Sequence, residues 1–405
     1  MSGRRIQGFL LSDGTEKVLQ GTCNRTRNPL QGSILVASSL EASLYDAMVA
    51  ARAVVCGAGG LTGHMQSICR GRGIPVLRVD ESDLAGVTGE VTLHLESQSI
   101  IVESDTVSRA ARPAAGEPSL AALGSACAVI ADLQDIATIN ACGPDAKRVD
   151  SFFIREEFLC LAAGLRPLDS VSGSPADVTA YGRAVADRLC GFVEALLPGQ
   201  RLVLRLLDLR SDHAARVTEL ARVAVEPNPE LGLHGARWLL GSKAYRDALH
   251  AVLGSLRERL GDEAGRVHLS VPFVNDAEEF ATLIRHLELP AGVPVSAFIE
   301  TPAAVHATAA ICASGASELF VGTKDLVQFY LAADRGNHLV AGSYQTRHPA
   351  VIDGMRRVVE SARAAGTPVR VFALGADLGH YLEQLPTPDG YMMCTAELRQ
   401  VILRS

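Results

Sequence analysis

Short apolar runs recur from about residue 128 to the end of this chain, and longer stretches with helical periodicity separate them. Residues 247–260 and 279–289 are two such helical stretches, because apolar side chains return in them every three or four positions. Strands that alternate with helices in this way predict an α/β fold, a (β/α)8 TIM barrel over residues 128–405. The eight predicted strands span 136–141, 151–156, 202–208, 267–273, 294–300, 318–323, 369–374 and 390–394.

A smaller α/β domain is predicted for residues 1–104, where glycine-containing turns separate shorter β-type runs. Residues 105–127 are rich in Ala, Ser and Pro, which predicts a linker with some helix at its end. The sequence therefore predicts a small front domain, a linker and the barrel. Within the front domain the predicted strands span 32–38, 51–57, 74–79 and 98–104, and the predicted helices span 41–50 and 64–72.

Composition argues against several classes of partner. The net charge is −7 and no basic block is present, so nucleic acid is not expected to bind. No apolar run reaches the ~20 residues that span a bilayer, and the first residues lack the apolar core of a signal peptide. We therefore expect a cytoplasmic protein with no membrane partner. Nine scattered cysteines without a CxxC pair predict free thiols rather than a disulfide framework or a zinc site.

Arginines and acidic residues follow the predicted barrel strands, at the point where each strand ends. The active site of a TIM barrel lies at the carboxyl ends of its strands, so these side chains are expected to converge there. Arginine suits phosphate and carboxylate groups, and a pair of carboxylates can hold a Mg2+ that also contacts phosphate. The pattern predicts a site for a phosphorylated, acidic small molecule, with ordinary salt bridges as the alternative. The residues concerned are Arg155, Glu156, Arg205, Asp208, Glu300, Thr323, Lys324, Asp325 and Arg335.

One histidine of the front domain lies on a glycine-rich turn, in the stretch "GGLTGHMQSICRGRGIP" at 59–75. His64 is placed at the start of a predicted helix, whose N-terminus favours a bound anion. Neutral imidazole is nucleophilic near pH 7 and can carry a phosphoryl group. His64 is therefore a candidate phosphoryl carrier, with a core histidine or a helix cap as the alternative.

That stretch resembles the phosphohistidine segment of the phosphoenolpyruvate-utilising enzymes. The family includes enzyme I of the bacterial sugar phosphotransferase system, pyruvate phosphate dikinase and phosphoenolpyruvate synthase. His64 falls on the phosphorylated histidine, Gly60, Thr62 and Arg70 match positions around it, and Gly63 replaces the usual serine. The resemblance implies that the front domain swivels and carries His64 into the barrel mouth and out again.

The second half resembles the family's phosphoenolpyruvate-binding barrel. The matching stretches are "IREEFL" (154–159), "LRLLDLRSD" (204–212), "NPELGLHGAR" (228–237), "FIETPAAV" (298–305), "FVGTKDLVQFYLAADRGN" (320–337) and "HPAVI" (348–352). The resemblance implies a homodimer, catalytic roles for Arg155, Arg205 and Arg335 in binding substrate, and Mg2+ held by Glu300 and Asp325. It also places Asp208, His234, Arg237, Thr323 and Lys324 around the substrate, with a catalytic part for Lys324.

Three positions depart from the family pattern. Ala373 stands where the family has the cysteine that protonates the enolate, Lys324 replaces an asparagine, and His234 replaces the first arginine of its motif. Cys394, at the end of the eighth predicted strand, is a candidate replacement acid, with a small buried hydrophobe as the alternative.

Three functions are compatible with these residues. The first is a Mg2+-dependent phosphotransferase that passes a phosphoryl group from phosphoenolpyruvate through His64 to an unidentified acceptor, either a small molecule or a protein. The second is a lyase, mutase or transferase that acts in the barrel on another phosphorylated or enolpyruvyl molecule, for example in specialised metabolism, without the histidine shuttle. The third is a non-catalytic sensor of such a ligand.

Overall fold

A computed structural model describes residues 4–12, 14, 16–40, 44–58, 64–102, 120–162, 165, 174–211, 225–335 and 337–404. The chain divides into two compact units. The first comprises Met1–Glu117, Leu331–Gln345 and Cys394–Gln400, and the second comprises Pro118–Tyr330, Thr346–Met393 and Val401–Ser405. The domain boundaries expected from the sequence stay a prediction.

Seven strands of the first unit close into a small barrel in the order β1-β5-β4-β3-β2-β6-β7. Pairs β2–β3, β3–β4 and β4–β5 are parallel, and the remaining described pairs are antiparallel. Apolar side chains such as Ile34, Val55 and Ile100 fill its core. The elements are β1 (Arg4–Ser12), β2 (Val18–Asn24), β3 (Ile34–Ala37), α1 (Tyr45–Ala50), β4 (Ala53–Cys56), α2 (His64–Gly71), β5 (Val76–Val79), α3 (Glu81–Leu84), β6 (Glu90–His94) and β7 (Ser99–Val102).

All four strands predicted for this unit are present, and β1, β2 and β6 were not predicted. These three strands carry charged, polar and glycine residues between their apolar ones, and β1 and β6 lie in antiparallel pairs. Antiparallel strands with one solvated face show alternating apolar and polar residues rather than a continuous apolar run. This weaker pattern did not allow the three strands to be predicted.

The second unit is a closed barrel of eight parallel strands, in sequence order from β8 to β15. The fold predicted for the chain, a small α/β domain followed by a (β/α)8 barrel, is confirmed. The elements are β8 (Ser125–Val129), α4 (Leu133–Asn140), β9 (Val149–Arg155), α5 (Glu156–Ala162), α6 (Pro175–Glu194), β10 (Arg201–Arg205), α7 (Gly235–Gly241), α8 (Lys243–Leu260), β11 (Val267–Val271), α9 (Ala277–Leu287), β12 (Val295–Ile299), α10 (Pro302–Ala313), β13 (Leu319–Val321), α11 (Thr323–Leu331), α12 (Pro349–Ala365), β14 (Val369–Phe372), α13 (Gly375–Gln384), β15 (Gly390–Cys394) and α14 (Thr395–Leu403).

The first barrel strand is not where the sequence placed it. Residues 136–141 were predicted as a strand, but they fall in and just after α4, and the strand is β8, which begins inside the predicted linker. A capping box favours the helix, because the Asp132 side chain accepts from backbone N–H groups of the first turn and the Asp135 side chain accepts from Asp132 N. The buried Ile136 and Ile139 then lie one turn apart on one face.

Aromatic side chains fill the barrel beneath its carboxyl end. The Phe153 ring lies 5.3 Å from that of Phe298 and 5.6 Å from that of Phe320, and Phe298 stacks on Phe320 at 5.6 Å between centroids. At the amino end of the strands, Arg370 donates to Glu318 at 2.6 Å and to Asp150 at 2.8 Å. The interior is therefore packed, and the place for a small-molecule site is the rim at the carboxyl ends of the strands.

In the part of the chain described, no helix is both long and apolar enough to cross a membrane. All nine cysteines are free thiols, as predicted, and burial raises the pKa of several of them, to about 12 for Cys56, Cys69 and Cys127.

Candidate active site

Two arginines stand side by side at the carboxyl end of neighbouring strands. Arg155 ends β9 and Arg205 ends β10, and the strand register pairs these two residues directly. The Arg205 side chain is only 5% exposed, and its Nη2 donates to Glu157 Oε1 at 2.8 Å and to Asp208 Oδ2 at 2.9 Å. Burial opposes the charge of Arg205, but the carboxylates around it outweigh that cost and raise its pKa.

Glu157 is a site residue that the sequence analysis missed. Its Oε1 accepts from Arg205 and lies 3.6 Å from Arg155 Nε, so one carboxylate contacts both guanidinium groups. The Arg155 guanidinium also lies over the Phe158 ring, 3.8 Å from its centroid. The motif "IREEFL" contains the signal, since two adjacent glutamates follow the strand and only one of them can face the mouth.

Glu156, which the sequence analysis placed at the mouth, points the other way. It accepts hydrogen bonds from Tyr181 OH at 2.6 Å, from Leu207 N at 3.0 Å and from Tyr245 OH. Burial raises its pKa to about 7. Because Leu207 directly precedes Asp208, the Glu156 carboxylate ties the start of α5 to the loop that carries Asp208.

Asp208 is buried between two basic side chains. Its Oδ2 accepts from Arg205, and its Oδ1 lies 2.9 Å from His234 Nδ1. Burial opposes ionisation of Asp208, but Arg205 and His234 outweigh it and hold the pKa well below its ordinary range. The other ring nitrogen of His234, Nε2, lies 3.0 Å from the Glu230 carbonyl oxygen.

Two carboxylates follow strands β12 and β13. Glu300 and Asp325 are both buried, and Glu300 Oε2 accepts from Phe273 N at 3.0 Å. Burial and the charge of Asp325 raise the pKa of Glu300 to about 8, although Arg205 Nη1 lies 3.9 Å from Glu300 Oε1. A glycine is required beside them, because a Cβ at Gly322 would lie 2.5 Å from Glu300 Cγ.

These two carboxylates are the residues of the site that could hold a Mg2+ ion. A buried carboxyl group whose pKa is raised by burial and by a neighbouring carboxylate, as at Glu300, belongs to a donor set that a divalent cation would stabilise. Within the described residues, no group of three or more His, Cys, Asp or Glu side chains has metal-binding geometry. Mg2+ commonly takes only one or two protein carboxylates together with phosphate oxygens, so a pair of carboxylates is sufficient for a candidate site.

A cavity of about 300 Å³ lies beside this cluster. The rings of Phe273 and Phe329, 6.0 Å apart, form part of its wall, together with His234. Arg237 lines its exposed side and donates to the carbonyl oxygens of Leu231 and Gly232, at 3.3 and 3.4 Å.

Comparison with known proteins identifies the family of the chain. Residues 153–376, more than half of the chain, match the family model described as PEP-utilising enzyme, PEP-binding domain. Residues 29–106 match the model described as PEP-utilising enzyme, mobile domain. The chain belongs to the PEP-utilising enzyme family.

Curated relatives within this family resemble the chain over much of its length. It is 23% identical over 363 residues to a probable phosphoenolpyruvate synthase of Archaeoglobus fulgidus, covering 88% of this chain and 47% of that protein. It is 28% identical over 398 residues to a multiphosphoryl transfer protein of Rhodobacter capsulatus, covering 90% and 44%. With a phosphoenolpyruvate-protein phosphotransferase of Streptomyces coelicolor, identity is 27% over 326 residues, covering 76% and 54%. The chain thus spans about half the length of these relatives.

The family's cysteine position is occupied by a fully buried alanine, Ala373, directly after β14. Its neighbour Phe372 receives two contacts from the start of α11. Thr323 Oγ1 donates to the Phe372 carbonyl oxygen at 3.0 Å, and the Lys324 ammonium lies 4.7 Å from the Phe372 ring centroid. Lys324 therefore lies against the strand end where the family's thiol would stand.

The structure gives less about the remaining predicted residues. His64 is the first residue of α2, and Gly60, Thr62 and Gly63 lie outside the described residues. Arg70 is buried in the last turn of α2 and donates to the Leu11 carbonyl oxygen at 2.6 Å. Arg335 lies in the segment Leu331–Gln345, Cys394 is the buried last residue of β15, and the roles of both stay predictions.

Proposed function

We propose that this chain is a Mg2+-dependent phosphotransferase that takes a phosphoryl group from phosphoenolpyruvate onto His64 and passes it to an acceptor. The observation that carries the proposal is the buried Arg205, fixed by Glu157 and Asp208 at the level of Arg155. Arg205 also retains a donor at Nε that no described residue accepts. Two adjacent guanidinium groups of this kind suit a substrate that carries both phosphate and carboxylate.

The protein groups supply binding and electrostatic stabilisation. Arg155 and Arg205 would bind the anionic substrate, with Arg335 and Lys324 adding positive charge, while Thr323, Asp208, His234 and Arg237 shape the surroundings. Glu300 and Asp325 would hold Mg2+, which when bound neutralises charge on the phosphoryl oxygens. Preorganised charges are effective at Arg205, Asp208 and Glu300, because these side chains are buried and need no reorganisation.

The transfer step involves one bond made and one broken. An imidazole nitrogen of His64 attacks phosphorus, the bond from phosphorus to the enolate oxygen breaks, and enolpyruvate departs with the electron pair. Pyruvate forms when C3 of the enolate takes a proton. With alanine at 373, that proton comes from water after release or from another acid, for which Cys394 is the candidate.

The test is transfer of labelled phosphate. The protein is incubated with [32P]phosphoenolpyruvate and Mg2+, and acid-labile label is mapped. We expect label on His64, its loss in His64→Ala and with a chelator present, and its retention in the control His94→Ala, which alters a histidine of β6. Pyruvate formation with no label on any histidine would overturn the shuttle.

A second candidate function follows from Ala373. Since the barrel lacks the family's thiol at this position, it could act on another phosphorylated or enolpyruvyl molecule without His64. Turnover that persists in His64→Ala would establish it, and binding without turnover would indicate a ligand sensor. The acceptor is proposed to be a small molecule or a separate protein. A homodimer is proposed from the resemblance, and light scattering after size exclusion measures it.

A further inference from the structure

Each ring nitrogen of His234 faces a hydrogen-bond acceptor, and neither faces a donor. Nδ1 lies 2.9 Å from a carboxylate oxygen of Asp208, and Nε2 lies 3.0 Å from the Glu230 carbonyl oxygen. A carbonyl oxygen can only accept a hydrogen bond, and so can an ionised carboxylate. A neutral imidazole has one N–H and one lone pair, so in this position its lone pair would face an oxygen lone pair.

We propose that His234 is held as an imidazolium that positions Asp208, and through Asp208 the Arg205 guanidinium, at the barrel mouth. Each Asp208 oxygen then faces one cation, Arg205 on Oδ2 and His234 on Oδ1. His234 is 4% exposed, so water cannot replace the missing hydrogen bond if a proton is lost. It is a positioning residue, because it acts on the substrate through Asp208 and Arg205.

The charges that face His234 favour this state. Asp208 approaches from the loop after β10, where Arg205 already holds it ionised. On the loop before α7, the Glu230 carboxylate is engaged by Arg210 and by Gln328, the latter at 3.1 Å. From the β11 side the neighbour is the uncharged Phe273 ring, with centroids 4.5 Å apart.

On the same segment before α7, Glu226 accepts from the backbone N–H of Leu233 at 3.0 Å, and the exposed Arg237 lies in the first turn of α7. Asp208 is thus the charged group that contacts the imidazole directly. The arrangement explains how a histidine can stand where the family pattern has arginine. The positive charge is kept, but it pairs with Asp208 and does not face the open barrel mouth.

The charge state is tested without substrate, so its outcome does not depend on the proposed function. Two-bond 15N–1H correlation spectra of the 15N-labelled protein are recorded at about pH 7.5, where an ordinary histidine with a pKa of about 6.5 is mainly neutral. We expect both ring nitrogens of His234 to be protonated. A single protonated nitrogen at this pH overturns the proposal. The signal is assigned by its loss in His234→Gln or, if that variant does not fold, by the ring-current shift in Phe273→Leu.

The positioning role rests on the proposed function and is tested by the KM for phosphoenolpyruvate. Removing a group that orients a binding residue costs roughly 10- to 100-fold in comparable sites, so we expect a rise of that size in KM for His234→Gln. His234→Arg, which keeps a positive charge beside Asp208, should restore affinity. The exposed control His306→Gln should behave as wild type. An unchanged KM in His234→Gln overturns the role even if the label on His64 is found.

Discussion

Replacing Glu156 by glutamine tests the buried carboxylate that ties α5 to the loop carrying Asp208. Glu156 is 1% exposed, and its three hydrogen bonds come from Tyr181, Tyr245 and the Leu207 backbone. Burial raises its pKa from the ordinary 4.5 to about 7, so the folded protein keeps this proton to a higher pH than the unfolded chain does. Glutamine has nearly the same shape and removes the titration.

The size and sign of the effect follow from proton linkage. Between pH 4.5 and about 7 the folded state binds more protons at Glu156 than the unfolded state does, so stability from this group falls as pH rises. At 1.36 kcal/mol per pKa unit, the shift corresponds to about 3 kcal/mol, present below pH 4.5 and lost above about 7. The free energy of unfolding of Glu156→Gln, relative to wild type, should therefore increase by about 3 kcal/mol over this range.

The assay is urea unfolding at a series of pH values, followed by Trp238 fluorescence. Trp238 is the single tryptophan of the chain, and its ring lies 5.4 Å from that of Tyr245, so it reports on this part of the barrel. Glu194→Gln is the matched control, since Glu194 is exposed at the end of the helix that carries Tyr181. A stability difference between Glu156→Gln and wild type that is the same at low and neutral pH would refute the reasoning.

Three further predictions concern the mouth. Because the pKa of Glu300 is raised to about 8, Mg2+ binding at pH 7 should release a proton, and calorimetry in two buffers of different ionisation enthalpy measures it. Gly322→Ala should weaken Mg2+ binding at least roughly tenfold by displacing Glu300, whereas Gly265→Ala, whose added Cβ has no atom within 4 Å, should not. Arg205→Lys loses the forked geometry that reaches two carboxylates, so the KM for phosphoenolpyruvate should rise roughly tenfold or more in steady-state assays.

The barrel could be predicted because its central strands are buried on both faces and read as continuous apolar runs. β8 escaped this signal because its sequence, SACAV, is made mostly of small residues. Residues 136–141 were predicted as a strand because they are rich in β-branched side chains. The capping contacts of Asp132 and Asp135, which favour the helix, become visible only in the folded backbone.

Most of the site could be predicted for a related reason. Barrel closure brings strand ends together, so Arg205, Glu300 and Asp325 were found from position alone. The choice between Glu156 and Glu157 could not be made that way. Successive helical residues point about 100° apart. Which of the two faces the mouth is decided by Tyr181 and Tyr245, which lie 25 and 89 residues away from Glu156 in the chain.

The departures from the family pattern share one structural property. Each of the three changed side chains is engaged with the protein: His234 with Asp208 and a backbone carbonyl, Lys324 with the Phe372 ring, and Ala373 within the core. The buried charges at the strand ends, from Arg205 to Asp325, are unchanged. If the proposed function holds, those charges bind the phosphate and carboxylate common to the family's substrate. The three changed residues would then affect the fate of the enolpyruvate that remains after the phosphoryl group has been transferred. The comparison of Ala373→Cys with wild type separates these two parts, because it should change the rate of pyruvate formation and leave the labelling of His64 intact.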